Sequence, residues 1–273
     1  MKSGLLKKPV MRSSFRIKAG GLHFTLRRYA RWLFGGIRFA AKSENVLSFE
    51  CCSHKTPLLR KLKDVDMYMQ QNKIINLKIA VAKVNCVMLR PGETFSYWRL
   101  VGKPTKAKGY LNGMVLQNGK VTAGIGGGLC QLSNLIYWLT LHTPLTVVER
   151  HRHGYDVFPD SNRKQPFGSG ATCFYNYGDL MIENNTEQTF QLVVNVTEND
   201  LEGIWLTDKP STLIYEVYEQ NHVIQSEFWG GYTRHNVLCR RIFDLNNNQL
   251  ADEYLVENHA ILTYKPFLPE HTE

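Results

Sequence analysis

Apolar residues recur at the spacing of a helix face in two parts of this chain. Between Lys55 and Lys83 they predict two helices that meet at a break near Asn72-Lys73. A second set predicts a helix from Gln131 to His142 that ends before Pro144. The apolar positions of that second helix are Leu132, Leu135, Ile136 and Leu139.

Beyond Thr189 the pattern changes to alternating apolar and polar residues, which is typical of strands with one buried face. Turns such as residues 246–249 separate the segments, so they predict an antiparallel sheet. Two further signals lie upstream: Asn118-Gly119 predicts a type I′ hairpin, and Leu145 to Val148 predicts a buried strand. The predicted C-terminal strands are Phe190 to Val196, Gly203 to Thr207, Leu213 to Tyr218, Val223 to Phe228 and Tyr254 to Tyr264.

Together these patterns predict an α+β protein with three parts. Residues 1–88 are predicted to form a basic helical N-terminal region. Residues 89–195 are predicted to form a mixed core with a cysteine at a helix N-terminus, and residues 196–273 a β-rich antiparallel C-terminal part. With 273 residues, the chain is long enough to bury a sizeable core.

The N-terminal region contains most of the excess positive charge. The net charge is +9, and eleven Lys or Arg residues but no acidic residue precede Glu44. Aromatic and aliphatic residues between them make His23 to Ala41 a candidate basic amphipathic helix, weakened at Gly35-Gly36. Three environments fit such a helix: an anionic membrane surface, the rest of the protein with the charges in solvent, and nucleic acid. Nucleic acid is not expected, because the basic run contains no known reader motif.

The six cysteines do not form a disulfide or metal framework. Cys51 and Cys52 are adjacent and no C-x-x-C pair occurs, so a closed zinc site is not supported. We expect no cofactor, since the glycine-rich stretch at 124–128 lacks the Lys-Ser/Thr ending of a P-loop and the spacing of a dinucleotide site. Free thiols in this number are typical of a reducing compartment.

No targeting segment is recognised in the sequence. The basic residues at the N-terminus are not followed by an apolar core, and no run approaches about 18 apolar residues. Arg27-Arg28 resembles a twin-arginine signal, but Arg31 and Arg38 interrupt the apolar stretch that follows. We therefore expect a cytoplasmic protein without a signal peptide or transmembrane segment. Residues 1–42 are candidates to hold it peripherally on the inner face of the membrane.

Cys130 is the leading candidate for chemistry. It follows Gly126, Gly127 and Gly128 and stands directly before the predicted helix. Unpaired backbone N–H groups and the helix dipole favour thiolate over thiol at such a position. Glycines let a backbone approach a ligand closely, so the position suits a nucleophile beside an oxyanion pocket. A buried structural thiol and a metal ligand are the alternatives.

Motifs on both sides of Cys130 occur in a fixed order. R-P-G-E-x-F-S begins at Arg90, G-G-G-x-C-Q-x-S covers 126–133, E-R-x-x-H covers 149–153, and D-L-x-x-x-N covers 179–184. This ordered set, from about Arg90 to Asn195, resembles the VanW family, named for an accessory protein of glycopeptide-resistance clusters. Related domains on secreted proteins look like cysteine-dependent L,D-transpeptidases of peptidoglycan. On that analogy, the resemblance implies that Cys130 is the nucleophile.

His153 is the predicted base, since it falls on the family motif and on the strand expected after the helix. His151, two residues earlier, would lie on the same strand face. Asp179 is expected to form a turn or cap rather than to orient the imidazole. The residues predicted to bind substrate are Gly126, Gly127, Gly128, Gln131, Ser133, Glu149 and Arg150.

Two positions depart from the family pattern. Gly154 stands where the family usually has a serine after the histidine, and Gly170 stands where an acidic residue usually precedes Ala-Thr. If that serine or carboxylate orients the catalytic base, its loss here lowers activity.

The sequence therefore predicts an accessory protein of glycopeptide (vancomycin) resistance that acts on or binds peptidoglycan stem peptides or their precursors. One hypothesis is acyl transfer through Cys130. A second is a non-enzymatic module that binds a peptide carboxylate such as that of D-Ala-D-Ala or D-Ala-D-lactate. A third is a membrane-surface scaffold for resistance enzymes. A chain without a leader would meet an intracellular precursor, because mature cell wall lies outside the membrane.

Overall fold

The computed structural model describes residues 12–59, 66–117, 119–158 and 165–266. The chain divides into two compact units, residues 1–37 and 38–273. The helices are α1 (Ser14–Phe34), α2 (Met67–Val84), α3 (Tyr97–Val101) and α4 (Cys130–Leu141). The strands are β1 (Ala41–Lys42), β2 (Phe49–Pro57), β3 (Val87–Leu89), β4 (Thr94–Ser96), β5 (Asn112–Gln117), β6 (Lys120–Ile125), β7 (Thr146–Glu149), β8 (Tyr155–Asp156), β9 (Met181–Glu183), β10 (Phe190–Val196), β11 (Asp200–Thr207), β12 (Leu213–Ser226), β13 (Tyr232–Asp244) and β14 (Gln249–Leu262).

The α+β class and the β-rich C-terminal part are confirmed. A five-stranded antiparallel sheet has the order β1-β3-β10-β11-β2. It takes strands from each of the three predicted parts, because β2 pairs with β11 along its whole length. Helix α4 packs on β11 and β2, and α2 packs on β10 and β5. The sheet and these two helices enclose much of the apolar core.

The first unit contains α1, and its bounds correct the predicted helix at His23 to Ala41. The helix begins after Ser13, whose side chain accepts a hydrogen bond from Arg16 N at 3.4 Å. It ends at Gly35, and Gly36 has a φ of 67°, a conformation that favours glycine. The glycine pair therefore stops the helix rather than merely weakening it.

In the described residues between Lys55 and Lys83, the predicted break near Asn72-Lys73 is absent. The first residues of this region belong to β2, and α2 runs without interruption through Asn72 and Lys73. The polar side chains are accommodated by contacts: Asn72 Nδ2 donates to Asn112 O at 2.8 Å, and Lys73 Nζ donates to Gln70 Oε1 at 3.1 Å. Leu62 and Val65, which belong to the predicted pattern, lie outside the described residues.

The C-terminal four-stranded sheet has the order β12-β13-β14-β8. The two predicted strands at 213–218 and 223–228 are one strand with an irregularity between Gln220 and Val223. No sequence pattern predicted β13, because charged residues occupy several of its inward positions. Those charges have partners: Arg234 lies 3.3 Å from Asp156 Oδ2, and Arg240 lies 2.6 Å from Glu253 Oε2. The predicted strand at 254–264 corresponds to β14, which begins earlier, at Gln249.

Two small sheets complete the second unit. The strand predicted at 145–148 is present as β7, but the order β4-β9-β7 places it at an edge, so its predicted burial is wrong: Val148 is 41% exposed. Strands β5 and β6 form the predicted hairpin. Gly119 in its turn has a φ of 75°, whereas Asn118 lies outside the described residues. None of the helices in the described part is both long enough and apolar enough to cross a membrane.

Candidate functional site

Cys130 is the first residue of α4, as the sequence predicts. The loop before it turns through Gly126 and Gly128, whose φ angles of 75° and 91° favour glycine. A side chain at Gly127 would overlap the backbone of Gly113, since its Cβ would lie 2.1 Å from Gly113 C. The glycines are therefore needed for close packing of the loop on β5. Their contact with substrate stays a prediction.

Asn76 on α2 holds this loop in place. Its fully buried amide Nδ2 donates to Gly127 O at 2.9 Å and to Leu111 O at 3.0 Å. Its Oδ1 accepts from Leu111 N at 2.8 Å. One side chain thus joins α2, the start of the β5–β6 hairpin and the glycine loop. Sequence reasoning missed Asn76, because a single asparagine in a helical pattern is more often an exposed position.

Cys130 is half-buried, and its thiol lies against the backbone of Cys173. Its Sγ lies 3.8 Å from Cys173 O. Burial raises the pKa of the Cys130 thiol above its ordinary value, and backbone contacts only partly offset this effect. Burial also raises the pKa of Cys173, and the neighbouring Cys130 raises it further. This raised pKa runs against the thiolate expected at Cys130, because desolvation outweighs the backbone contacts that favour the charged sulfur.

Three backbone amides in the first turn of α4 already have acceptors. Gln131 N donates to Gly128 O at 3.0 Å. Leu132 N and Ser133 N donate to Leu129 O at 3.1 and 3.4 Å. These three amides can stabilise an oxyanion only after the turn opens, whereas the backbone of Cys130 itself contacts the thiol.

A buried tyrosine, Tyr97, lies near Cys130 and Cys173, and a second, Tyr110, interacts with Tyr97; no sequence pattern predicted either. Tyr97 Oη donates to Leu129 O at 3.2 Å, directly before Cys130. Burial, followed by the neighbouring Cys173 and Cys130, raises the pKa of Tyr97. Tyr110 interacts electrostatically with Tyr97 and is 1% exposed. Within the described residues, the Tyr110 hydroxyl has no hydrogen-bond partner.

The two candidate base histidines follow β7 and do not lie on it, because β7 ends at Glu149. His151 Nε2 lies 3.0 Å from Glu149 Oε1. Burial and the nearby Arg152 lower the pKa of His153, so its imidazole is neutral and able to accept a proton at pH 7. In the described part of the chain, neither histidine hydrogen bonds to Cys130. Proton transfer from Cys130 to His153 therefore needs a bridging group, such as substrate or water.

Arg150, a predicted substrate contact, binds the loop that contains Gly168 and Gly170. Its Nε donates to Gly170 O at 2.9 Å, and its Nη2 donates to Gly168 O. Nη2 also lies 3.1 Å from Asn258 Oδ1 on β14. The guanidinium is thus engaged in positioning the loop that leads to Cys173.

Gln131 and Ser133, also predicted substrate contacts, hydrogen bond α4 to neighbouring segments. Gln131 Nε2 donates to Thr56 Oγ1 at 3.0 Å and to Pro57 O at 2.9 Å, both on β2. Ser133 Oγ is fully buried and donates to Ala171 O at 2.7 Å. These contacts hold the start of α4 between β2 and the segment before Cys173.

Asp179 has the cap role that the sequence predicts. Its fully buried carboxylate accepts from Ser96 Oγ at 2.5 Å and from Trp98 N at 2.9 Å, at the start of α3. It also accepts from Leu180 N at 2.9 Å. Asp179 thereby joins α3 to the segment that leads into β9.

Metal ligation finds no support in the described ranges. No three His, Cys, Asp or Glu side chains there are placed so that they could hold one ion.

Comparison of the sequence with known proteins identifies a family. Residues 72–206 match the model of the "VanW like protein" family. The chain is also 36% identical over 190 residues to the vancomycin B-type resistance protein VanW of Enterococcus faecalis, an alignment that covers 69% of each protein. The chain belongs to the VanW family.

The chain also has a relative of lower identity. An uncharacterised protein of Bacillus subtilis, YoaR, is 28% identical over 113 residues, which cover 41% of this chain and 36% of that protein. No solved structure matches the chain significantly. The matched VanW range contains Cys130, His153, Cys173 and the two tyrosines, whereas Cys51 and Cys52 precede it.

The two departures from the VanW pattern have different structural settings. A Cβ at Gly154 would meet nothing within 4 Å. A Cβ at Gly170 would lie 2.7 Å from Asn134 Oδ1, which accepts a hydrogen bond from Ala171 N at 2.8 Å. The place of the usual acidic side chain is therefore taken by Asn134.

Proposed function

We propose that this chain is an accessory protein of glycopeptide (vancomycin) resistance that acts on peptidoglycan stem peptides or their precursors by acyl transfer through Cys130. The observation that supports the proposal most directly is the position of Cys130 within the VanW-matched range, as the first residue of a helix after a glycine loop. The name of the Enterococcus faecalis relative connects that protein to vancomycin resistance. Peptidoglycan peptides are the substrate class that such a role requires.

The proposed reaction has two steps. The Cys130 sulfur attacks a peptide carbonyl, a C–S bond forms, and the amide C–N bond breaks. The thiol proton leaves with the departing amine, and a thioester remains on Cys130. An acceptor amine then attacks the thioester, a new amide bond forms, and the proton lost by the amine returns to the sulfur.

His153 is the proposed base in this mechanism. It is neutral at pH 7 because burial lowers its pKa, so it can accept the thiol proton once substrate bridges the gap. The raised pKa of the Cys130 thiol makes such a base necessary. Substrate that displaces water is expected to complete the contact between the two groups.

Tyr110 is the proposed oxyanion donor. Its buried hydroxyl has no partner in the described part of the chain, and it lies beside Tyr97, which contacts the residue before Cys130. A phenol O–H is a suitable donor to a tetrahedral oxyanion. The Tyr110 hydroxyl takes the place of the Gln131, Leu132 and Ser133 amides, which already have acceptors.

The test is trapping of an acyl-enzyme. Purified protein is incubated with synthetic stem tetrapeptide or pentapeptide, quenched in acid and examined by intact mass spectrometry. We expect an adduct equal to the donor minus its leaving group. The adduct is absent in Cys130→Ala and unchanged in Cys86→Ser, the matched control at another free, half-buried cysteine. An equal adduct in Cys130→Ala would exclude Cys130 as the nucleophile.

A non-catalytic binding module is the second candidate function. The raised pKa of the Cys130 thiol and the engaged helix amides favour it. In that case D-Ala-D-Ala or D-Ala-D-lactate peptides bind in calorimetry without any adduct. Cys130→Ala then binds as tightly as the wild-type protein.

Helix α1 favours a membrane-surface location for this function. Five apolar side chains follow one face of the helix and are exposed by 40–80%: Phe15, Leu22, Leu26, Tyr29 and Leu33. Arg16, His23 and Arg27 each follow a stripe residue by one position, so they flank the stripe at about 100° around the helix, which contains no acidic residue. An apolar stripe beside cationic residues is typical of helices that lie in an anionic lipid interface. We propose that α1 binds the inner face of the membrane, where lipid-linked wall precursors are made.

Vesicle sedimentation tests the membrane proposal. We expect the protein to sediment with vesicles of phosphatidylglycerol but not with vesicles of phosphatidylcholine alone, and less at high salt. Leu22→Ser with Leu26→Ser should abolish sedimentation, and Arg16→Gln with Arg27→Gln should weaken it. Equal binding of all variants would contradict a role for α1.

A further inference from the structure

Strand β2 contains a bulge at two adjacent cysteines. In the pairing of β2 with β11, Cys52 lies opposite Trp205 and Glu50 lies opposite Leu206. Cys51 is therefore the extra residue, without a partner of its own on β11. Successive side chains of a regular strand point to opposite faces, whereas a bulge re-aims one of them. The bulge explains why the two neighbouring thiols face the same side of the strand.

The two thiols contact each other. The side chain of Cys51 hydrogen bonds with those of Cys52 and Ser211. Cys52 Sγ also lies 3.3 Å from Leu139 O, near the C-terminal end of α4. The contact with Cys52 has the largest effect and lowers the pKa of Cys51. Burial opposes this shift, and the contact with Ser211 lowers the pKa further. The same contact and burial raise the pKa of Cys52. Cys51 is thus the more acidic sulfur of the pair, and Cys52 the less acidic one.

A cavity of about 250 Å³ opens onto this pair. His142 stands at its polar side, with Nδ1 2.9 Å from Trp138 O. The cavity is large enough for a small molecule, and its lining combines polar and apolar side chains. The lining residues used in this argument are Cys51, Cys52, His142, Ser211, Leu213 and Tyr215.

We propose that Cys51 and Cys52 form a redox-active dithiol site that reacts with small hydroperoxides, separate from the Cys130 site. Cys51 attacks one peroxide oxygen, an S–O bond forms, the O–O bond breaks, and the other oxygen leaves as an alcohol or water. Cys52 then attacks the Cys51 sulfur, the S–S bond forms, and the hydroxyl group leaves with the Cys52 proton as water. Two thiols and one hydroperoxide thus give one disulfide, one alcohol or water, and one further water.

The assignment follows from the pairing of a nucleophilic with a resolving thiol. Redox-sensor cysteines are accessible, favour the thiolate and have a second cysteine beside them. Cys51 meets these conditions, because it is half-buried, opens onto the cavity and contacts Cys52. Cys130 does not meet the condition of favouring the thiolate, because burial raises the pKa of its thiol. A disulfide between adjacent residues closes a strained ring, so ordinary thiols are expected to reduce it readily.

Tryptic mapping tests the proposal on the full-length protein. Trypsin cleaves after Lys42 and Lys55, and no Lys or Arg lies between, so both cysteines are on one peptide that contains no other cysteine. Reduced protein is treated with hydrogen peroxide, free thiols are blocked with N-ethylmaleimide, and the digest is analysed by mass spectrometry. We expect this peptide to lose two hydrogen atoms and to bind no maleimide. Dithiothreitol should restore two maleimide sites.

Single variants separate the two roles. In Cys52→Ser, we expect Cys51 to accumulate as a sulfenic acid that dimedone labels. In Cys51→Ser, oxidation of this peptide should slow by about tenfold or more, since the remaining thiol is not activated. Oxidation of the peptide that contains Cys51 and Cys52 should be the same in Cys130→Ala, Cys86→Ser and wild type. Circular dichroism melting of each variant shows that serine has not disturbed the fold.

Two results would overturn the proposal. The first is a wild-type peptide that retains both thiols under peroxide that oxidises Cys86. The second is equal oxidation of Cys51→Ser and wild type at the 43–55 peptide.

Discussion

The side-chain amide of Asn76 donates to the carbonyl oxygen of Gly127 at 2.9 Å and so fixes the loop before Cys130 to helix α2. This bond crosses 51 positions of sequence and is fully buried at Asn76. Two further bonds to Leu111 make the amide a junction between α2, the hairpin and the glycine loop. The geometry of the candidate nucleophile therefore depends on a helix remote from it in sequence.

Asn76→Ala should be strongly destabilising. The change leaves buried backbone groups of Leu111 and Gly127 without partners, which costs about 2–3 kcal/mol in the free energy of unfolding. Asn72→Ala is the matched control on the same helix: its single bond, to Asn112 O, is exposed, and its loss should cost less than about 0.5 kcal/mol. Urea unfolding followed by circular dichroism measures both. Equal losses would show that Asn76 does not hold the loop.

The two departures from the family pattern should respond oppositely to substitution. Gly154→Ser restores the usual residue and should leave stability unchanged, because a Cβ there meets nothing within 4 Å. Gly170→Ala should lower the melting temperature, because its Cβ would lie 2.7 Å from Asn134 Oδ1. In an Asn134→Ala background the cost of Gly170→Ala should shrink. An additive double-mutant cycle would contradict steric coupling between these two residues.

Cys130 should alkylate slowly at neutral pH. Burial raises the pKa of its thiol, so the midpoint of labelling by iodoacetamide should lie above the ordinary value of about 8.5. Labelling of Cys51 should have a midpoint below that value, since contact with Cys52 lowers its pKa. Peptide-resolved mass spectrometry after short pulses at several pH values measures both sites in one sample, with Cys130→Ala as control. A Cys130 midpoint well below 8 would instead indicate a preformed thiolate.

Acidification should destabilise the second unit. Burial lowers the pKa values of four histidines, and a nearby basic group lowers each value further. The pairs, with the neighbour second, are His54 and His142, His142 and Arg240, His153 and Arg152, and His235 and His259. Below the unfolded histidine pKa of about 6.5, the unfolded chain binds protons that the folded chain does not. Stability is therefore full above about pH 6.5 and falls as the pH drops towards the lowered folded values. Thermal unfolding between pH 7.5 and 5 measures this loss.

Replacement of one buried histidine should reduce that pH dependence. His142→Gln keeps a polar side chain near Trp138 O but cannot titrate, and it also removes the charge that lowers the pKa of His54. The fall in melting temperature between pH 7.5 and 5 should be smaller in this variant. His23→Gln on α1 is the control, because His23 lies outside the second unit and is exposed. A parallel fall in wild type and His142→Gln would assign the pH effect to other groups.

Local patterns predicted the elements around the candidate site. The helix at 131–142 differs from α4 by one residue at each end, and β10 matches its predicted bounds. Both segments have regularly spaced apolar residues and clear punctuation at their ends, so local spacing is enough to define them. Strand β13 was missed because its charges are neutralised by partners on other strands, such as Asp156 and Glu253. No local pattern contains that information.

The sequence by itself determined the class of fold, the position of Cys130 at a helix start and the family, because these depend on order and spacing along the chain. Only the tertiary structure decided the state of that thiol and the partners of Asn76, Arg150 and Asp179. Their settings depend on burial and on groups up to 108 positions away in sequence. The bulge that brings Cys51 and Cys52 to one cavity likewise depends on how β2 pairs with a strand some 150 positions later, a register that the local sequence does not contain.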